Sequence, residues 1–90
     1  MIENKVNEIL VITQEEAAEV IQEVSKIFRF GIDSQHRDGM LHREKLEAEI
    51  GDLLCMIDLL VEYDVIDPEK IYRANQAKRE KLKKYSGIFK

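Results

Sequence analysis

Cysteine and tryptophan are scarce in this sequence, which has one cysteine and no tryptophan among its 90 residues. The single cysteine, Cys55, has no partner for an internal disulfide, which is typical of a protein in a reducing compartment. Long hydrophobic runs are also missing, because charged residues interrupt each apolar stretch within a few positions. We therefore expect neither a signal peptide nor a membrane span, and we predict a cytoplasmic protein.

An excess of positive charge is missing as well. The chain has 18 acidic and 14 basic residues, which gives a formal net charge of −4. Nucleic-acid-binding domains usually carry the opposite balance, so we expect no nucleic-acid partner. A chain of this length forms one domain, residues 1–90, and buries only about 60% of its unfolded surface. Such a small domain gains stability when it oligomerises.

Glycine and proline are also few, four and one respectively, and apolar residues recur at spacings of three and four. This combination predicts an all-α fold with three main helices. The first is expected from about Asn4 to Phe30, although Thr13 and Glu16 form a capping-box pattern that could start a helix later. The second is expected from about Arg43 to Tyr63.

The remaining segments have the composition of loops and helix ends. Residues 31–42 contain two glycines and no periodicity, which predicts a flexible loop of more than the usual length. Asp67 is expected to cap the third helix, with Pro68 at its first position and an end near Tyr85. Residues 86–90 are expected to fray.

The second predicted helix is apolar on most of its circumference. One stripe is expected to face the other helices of the chain, whereas Cys55, Met56 and Leu59 lie on other faces. Two neighbouring helices can hardly cover all of these positions, so we predict a homodimer or tetramer whose four-helix core is completed between subunits. The predicted stripe comprises Leu46, Ile50, Leu53, Leu54, Ile57, Leu60 and Val61.

Acidic residues lie beside the apolar faces of the first two helices. Glu16, Glu19 and Glu23 fall within about 60° of one another on a helical wheel, and Glu49 and Asp52 are about 60° apart on the second helix. If the two helices pack together, the carboxylates converge and repel one another. Mg²⁺ would relieve that repulsion, because it prefers carboxylate and water oxygens. The alternative is that these are ordinary surface acids, balanced by Lys26, Arg43 and Lys45.

Two short motifs resemble those of the MazG-like, all-α nucleoside triphosphate pyrophosphohydrolases, whose signature is ExxE on one helix and ExxD on the next. The stretch "EEAAE" supplies Glu16 and Glu19, and "EIGDLL" supplies Glu49 and Asp52. The stretch "SKIFRFG" also resembles small phage and bacterial members, and the similarity covers about residues 13–85. The 29 residues between Glu19 and Glu49 are at the long end for that family.

This resemblance implies hydrolysis of a nucleoside triphosphate to the monophosphate and pyrophosphate, with Mg²⁺ as cofactor and Mn²⁺ as a possible substitute. It also implies that Glu16, Glu19, Glu49 and Asp52 hold the metal. A carboxylate that is not fully used as a ligand, Glu19 or Glu23, would orient the attacking water as general base. Phosphoribosyl-ATP pyrophosphohydrolase, which shares this fold, and a non-catalytic adaptor or regulator are the alternatives.

Substrate contacts are predicted on the third helix and at the end of the first. Asn75 and Lys78 lie on one face with apolar residues. Because members of the resembled family often carry an asparagine and a basic residue on this helix, we interpret them as contacts to the base or sugar and to phosphate. The alternative is a tolerated asparagine and a snorkelling lysine. Lys26 could reach phosphate or pair with Glu23 or Glu19. Two histidines and Arg37 in the loop could close over a substrate, but solvated loop residues are the simpler interpretation. The histidines are His36 and His42.

Overall fold

The computed structural model describes residues 4–90 and contains three helices in this range: α1 (Asn4–Phe30), α2 (His42–Glu62) and α3 (Pro68–Tyr85). Residues 1–3, which the predicted domain includes, lie outside the described part. An isolated bridge between Gln35 and Leu41 is the one β-type pairing seen within residues 4–90. The all-α prediction is confirmed, with helix bounds within one residue of those expected.

A helix that begins at Thr13 is excluded, because α1 is continuous through this residue. The Thr13 hydroxyl donates a hydrogen bond to the Ile9 carbonyl at 2.7 Å, one turn earlier in the same helix. The capping-box pattern formed by Thr13 and Glu16 therefore lies inside a helix, where the threonine bonds backwards rather than capping.

Three of the helix ends, the end of α1 and the starts of α2 and α3, have a local chemical cause. After α1, Gly31 adopts a φ of 98°, and its N–H donates to the Ile27 carbonyl at 2.8 Å. This left-handed conformation favours glycine. The Glu44 carboxylate accepts a hydrogen bond from the Leu41 N–H at the start of α2. Asp67 caps α3 as predicted, by accepting from the Glu69 N–H at 2.9 Å.

The connection between α1 and α2 is held by several hydrogen bonds, although the sequence predicts a flexible loop. The Arg43 guanidinium donates two hydrogen bonds, of 2.8 and 3.1 Å, to the Asp33 carboxylate. The His36 N–H donates to the Met40 carbonyl at 2.7 Å, and the Gly39 N–H donates back to His36. The residues after α3, expected to fray, turn so that the Arg79 guanidinium lies over the Phe89 ring at 5.8 Å.

Helices α1 and α2 pack as an antiparallel pair around a small core of Ile9, Met56 and Leu60. The prediction that Met56 and Leu59 lie off the packed face of α2 is wrong, since Met56 is buried and Leu59 packs against this core. By contrast, Ile50 and Leu54 are 40% and 53% exposed. The error arises because α2 is apolar nearly all round, so hydrophobicity alone does not select the contact face.

Much apolar surface remains uncovered on the helix pair. On α1, Ile21, Val24 and Phe28 share an exposed face, and on α2 Ile50 and Leu54 do. On each helix, the exposed apolar face lies about 110° around the helix axis from the face that contacts the other helix. Because the two helices are antiparallel, the two exposed faces lie on the same side of the pair. The α1–α2 pair therefore has one apolar layer that no part of residues 4–90 covers.

Helix α3 packs little against the other two and contributes no buried residue. The molecule is consequently flat, with extents of 44 × 37 × 16 Å and a radius of gyration of 16.1 Å. A compact chain of this length would have a radius of gyration of about 12 Å. Its accessible surface, 7230 Å², also exceeds by about 1,800 Å² that expected for a compact chain of this mass.

None of the three helices is long and apolar enough over its described residues to cross a lipid bilayer.

Candidate metal centre at the helix contact

Three carboxylates meet where α1 and α2 cross: those of Glu16, Glu19 and Glu49. One oxygen from each lies within 4.8 Å of the others. Glu16 and Glu19 are three residues apart and so occupy adjacent turns of α1, while Glu49 comes from the opposite helix. Glu16 and Glu49 are half-buried and Glu19 is exposed, so the cluster is open to solvent on one side. The predicted convergence of carboxylates from the two helices is present.

The cluster disfavours its own ionisation. The pKa of Glu49 is raised to about 7, first because it can share a proton with Glu19 in a hydrogen bond. Partial burial and the negative charges of Glu19, Asp52 and Glu16 raise it further. The pKa of Glu16 is also raised, chiefly by desolvation and then by the charges of Glu19 and Asp52. The ionised forms of Glu16 and Glu49 are therefore disfavoured unless a cation compensates their charge.

Two carboxylate oxygens in the cluster point inward without a partner. Oε2 of Glu16 and Oε2 of Glu49 are buried, and neither makes a hydrogen bond within residues 4–90. An ionised oxygen in this position is costly unless a donor or cation compensates it. These two oxygens are potential ligand atoms, so their lack of a partner fits a cation site at the cluster.

Of the basic residues that the surface-acid alternative names, Lys26 does balance Glu23, but none forms an ion pair with Glu16, Glu19 or Glu49. Lys26 pairs with Glu23 at 3.2 Å, Arg43 pairs with Asp33 at 2.8 Å, and Lys45 pairs with Asp38. Lys45 still lies close enough to Glu23 and Glu49 for their charges to help raise its pKa, after the larger effect of Asp38. The three carboxylates of the cluster therefore have no direct ion pair in the described part of the chain.

Asp52, the fourth predicted ligand, lies at the margin of the cluster. It is exposed and is not among the residues whose oxygens converge within 4.8 Å. It is nevertheless near enough for its charge to raise the pKa values of Glu16 and Glu49. A position of this kind suits a ligand that binds through water or after a side-chain rotation.

Glu23, a candidate general base, belongs to a second group one turn beyond Glu19. It is 6% exposed, and its Oε1 accepts from the Lys26 ammonium at 3.2 Å. Its Oε2 has no hydrogen bond and lies 3.9 Å from Nδ1 of His42. Lys26 thus forms the ion pair with Glu23 that the sequence analysis gave as the alternative to phosphate binding.

His42 is the residue whose role the sequence analysis missed. It was interpreted as a solvated loop residue, but it begins α2 and is only 2% exposed. Its ring stacks on Phe30 at 5.7 Å, and its Nδ1 has no hydrogen-bond partner among residues 4–90. A signal was present in the sequence: His42 lies seven residues before Glu49, two turns away on the same helical face.

Asn75 and Lys78, the predicted substrate contacts of the third helix, are not brought to the acidic cluster within one chain. Both are exposed on α3, which packs little against α1 and α2. They line a surface hollow of about 470 Å³ together with the end of the chain, including Leu82 and Phe89.

No protein-family model, curated protein or solved structure matches this chain. The resemblance to MazG-like enzymes therefore stays a hypothesis, carried by two short motifs and by the site that they form.

Proposed function

We propose that the protein is a Mg²⁺-dependent nucleoside triphosphate pyrophosphohydrolase, which converts its substrate to the monophosphate and pyrophosphate. The observation that carries the proposal is the pair of buried, unpartnered carboxylate oxygens on Glu16 and Glu49. They lie beside Glu19, with Asp52 at the margin, and these are the four positions of the ExxE and ExxD motifs. Carboxylates without basic partners fit a hard divalent cation.

In this proposal Glu16, Glu19, Glu49 and Asp52 would hold the cation. Bound Mg²⁺ would neutralise the substrate's phosphate oxygens and lower the pKa of an attacking water. The exposed Glu19 carboxylate can orient that water and accept its proton. Glu23 is the alternative base, but its ion pair with Lys26 would first have to open. Such an enzyme would work in the cytoplasm, where nucleoside triphosphates and Mg²⁺ are both present.

The proposal includes a homo-oligomer, either a dimer or a tetramer. A core of three buried apolar residues is small for an independent domain of this size. The surplus accessible surface of about 1,800 Å² is in the range that one subunit buries in an obligate interface. A second α1–α2 pair on the uncovered apolar layer would complete a four-helix bundle. Helix α3 of one subunit can then reach the acidic cluster of another, bringing Asn75 and Lys78 to the substrate.

The test is a panel of ribo- and deoxyribonucleoside triphosphates, including damaged ones, together with phosphoribosyl-ATP, assayed with Mg²⁺ for pyrophosphate and orthophosphate separately. We expect pyrophosphate and monophosphate from at least one substrate, no turnover in chelator, and partial recovery with Mn²⁺. Glu49→Gln should abolish turnover, whereas Glu62→Gln, on an exposed position of α2, should not. A panel without turnover would contradict the enzyme and favour a non-catalytic adaptor. Hydrolysis of phosphoribosyl-ATP alone would assign the related activity instead.

A further inference from the structure

A pocket of about 460 Å³ lies at the end of the α1–α2 pair, where α1 ends and α2 begins. Its walls include the rings of Phe30, His36 and His42, and the polar side chains of Ser34 and Gln35. Phe30 and His42 are nearly parallel, with an interplanar angle of 19°, while His36 meets His42 edge-on at 5.9 Å. The pocket is thus walled by aromatic rings and has hydrogen-bonding groups from the connecting segment.

One polar side chain of this pocket is buried without a partner. His42 is 2% exposed, and its Nδ1 makes no hydrogen bond within the described residues. Glu23 Oε2, also buried and unpartnered, lies 3.9 Å from that nitrogen. A buried imidazole normally has a partner for its ring nitrogens, so this one is incomplete without a ligand or a small rearrangement. If Glu23 Oε2 moved within hydrogen-bonding distance of His42 Nδ1, the hydrogen bond would fix the tautomer of His42. The imidazole ring could contact a ligand at the same time.

Most of the groups around the pocket that could bind a phosphate are already engaged, which disfavours phosphate as the occupant. The positive charge of Lys26 is already paired with Glu23, and His36 lies beside Asp38. The first N–H groups of α2, which could bind an anion, are also used: those of His42 and Arg43 donate to the carbonyls of Ser34 and Ile32. Arg37 also lines the pocket as an exposed side chain, and apart from its guanidinium what remains is ring surface, a hydroxyl and an amide. These are the groups that bind a planar heterocycle through stacking and edge hydrogen bonds.

The position of the pocket relates it to the acidic cluster. Along α2, Glu49 and His42 are seven residues apart on one face, a distance of about 10 Å. A nucleoside triphosphate whose phosphates lie at the cluster can reach this far with its base. We infer that the Phe30–His42 pocket binds the nucleobase of the substrate and determines base preference. This inference rests on the proposed function, but base binding can be measured without catalysis.

The experiment titrates the metal-free, full-length protein with free adenosine, guanosine, cytidine, uridine and thymidine, and separately with inorganic phosphate. Backbone amide shifts in two-dimensional NMR are the readout. We expect at least one nucleoside to bind in the millimolar range and to shift the amides of Ser34, Gln35 and His36. Phosphate should leave these amides unmoved. The inference would be overturned if these amides shift with phosphate but with no nucleoside, or if no nucleoside shifts them at all.

Two exposed positions provide variants that should fold normally. Phe30→Ala removes a stacking surface and should weaken binding of the preferred nucleoside about tenfold. Gln35→Ala should change the order of preference among bases, and Gln22→Ala, an exposed glutamine of α1 outside the pocket, is its matched control. Wild-type affinity in both pocket variants would overturn the inference. If nucleosides bind as expected but no triphosphate is hydrolysed, the pocket stands and the proposed enzyme activity fails.

Discussion

The Glu49 carboxyl group keeps its proton at pH values at which most glutamates are ionised. Its pKa of about 7 lies above the ordinary value of 4.5. Between these two values the folded chain binds more protons than the unfolded chain, so the free energy of unfolding falls as the pH rises. Above about pH 7 Glu49 is ionised in both the folded and the unfolded chain, and its full destabilising effect on the fold is present. The metal-free protein should therefore be more stable in mildly acidic than in alkaline buffer.

Thermal melts in chelator across this window test the expectation. The melting temperature of the wild type should fall by several degrees as the pH rises from about 4.5 to about 8. Glu49→Gln should flatten most of this dependence, because its side chain cannot ionise. Mg²⁺ added to the wild type should restore stability on the alkaline side. An equal slope in the Glu49→Gln variant would place the titrating group elsewhere.

Asp52 offers a second test of the cluster, because it adds charge without sharing the closest contacts. Asp52→Asn should weaken Mg²⁺ binding and abolish turnover, since a hard cation loses an anionic oxygen. The metal-free variant should be as stable as the wild type or slightly more stable, as repulsion on Glu16 and Glu49 is relieved. Glu62→Gln should have neither effect. Loss of stability with retained turnover would make Asp52 a structural partner rather than a ligand.

At the scale of the helices, substitution of two glycines by alanine should have opposite effects on stability. Gly31 ends α1 at a φ of 98°, where a side chain is strained, so Gly31→Ala should destabilise the fold by about 1 kcal/mol. Gly51 lies inside α2, and an added Cβ would meet no atom within 4 Å. Gly51→Ala should stabilise the fold by about 0.5–1 kcal/mol through helix propensity.

Denaturant unfolding of the two variants measures both effects against the wild type. A destabilised Gly51→Ala protein of reduced oligomeric mass would show instead that a neighbouring subunit packs closely on this part of α2. A neutral Gly31→Ala protein would contradict the left-handed end of α1.

The helices are the part of the structure that sequence reasoning predicts well, because their signals are local. Spacing of apolar residues, the Asp67–Pro68 start and Gly31 each act within a few positions of the residues that they organise. The choice of the packed face of α2 is not local. Met56 and Leu59 were assigned to the wrong face because Ile50 and Leu54 are equally apolar and only the presence of α1 distinguishes them.

The candidate site shows the same division. The convergence of Glu16, Glu19 and Glu49 could be predicted from helical spacing, given that α1 and α2 pack together. The burial of His42 could not, because it depends on the path of residues 31–41 across the end of the helix pair. The separation of α3 from the cluster also lay beyond the sequence, since the periodicity of Asn75 and Lys78 shows a shared face but not its neighbour.

For the whole molecule, the uncovered apolar layer gives a direct test of assembly. Leu54, which is 53% exposed on α2, is a better probe than Leu59, which packs in the core of the chain. Leu54→Lys should yield monomeric or insoluble protein, because a charge in an apolar interface is costly. Ala48→Lys, an exposed position turned away from that layer, adds the same charge and should leave the oligomer intact.

Light scattering on size-exclusion fractions distinguishes these outcomes. The wild type and the Ala48→Lys variant should both show at least twice the chain mass of 10.5 kDa. A well-folded wild-type monomer would contradict the four-helix bundle shared between subunits.

If the proposed oligomer forms, the flat shape of the chain, only 16 Å in its thinnest direction, would tie its folding to its abundance. A chain that completes its core only against a copy of itself folds in a second-order reaction, so the fraction folded obeys mass action. Dilution alone should then lower the melting temperature, with no change in pH, salt or sequence. In a cell the first copies synthesised would be the most vulnerable to proteases, and each later copy would protect those already made.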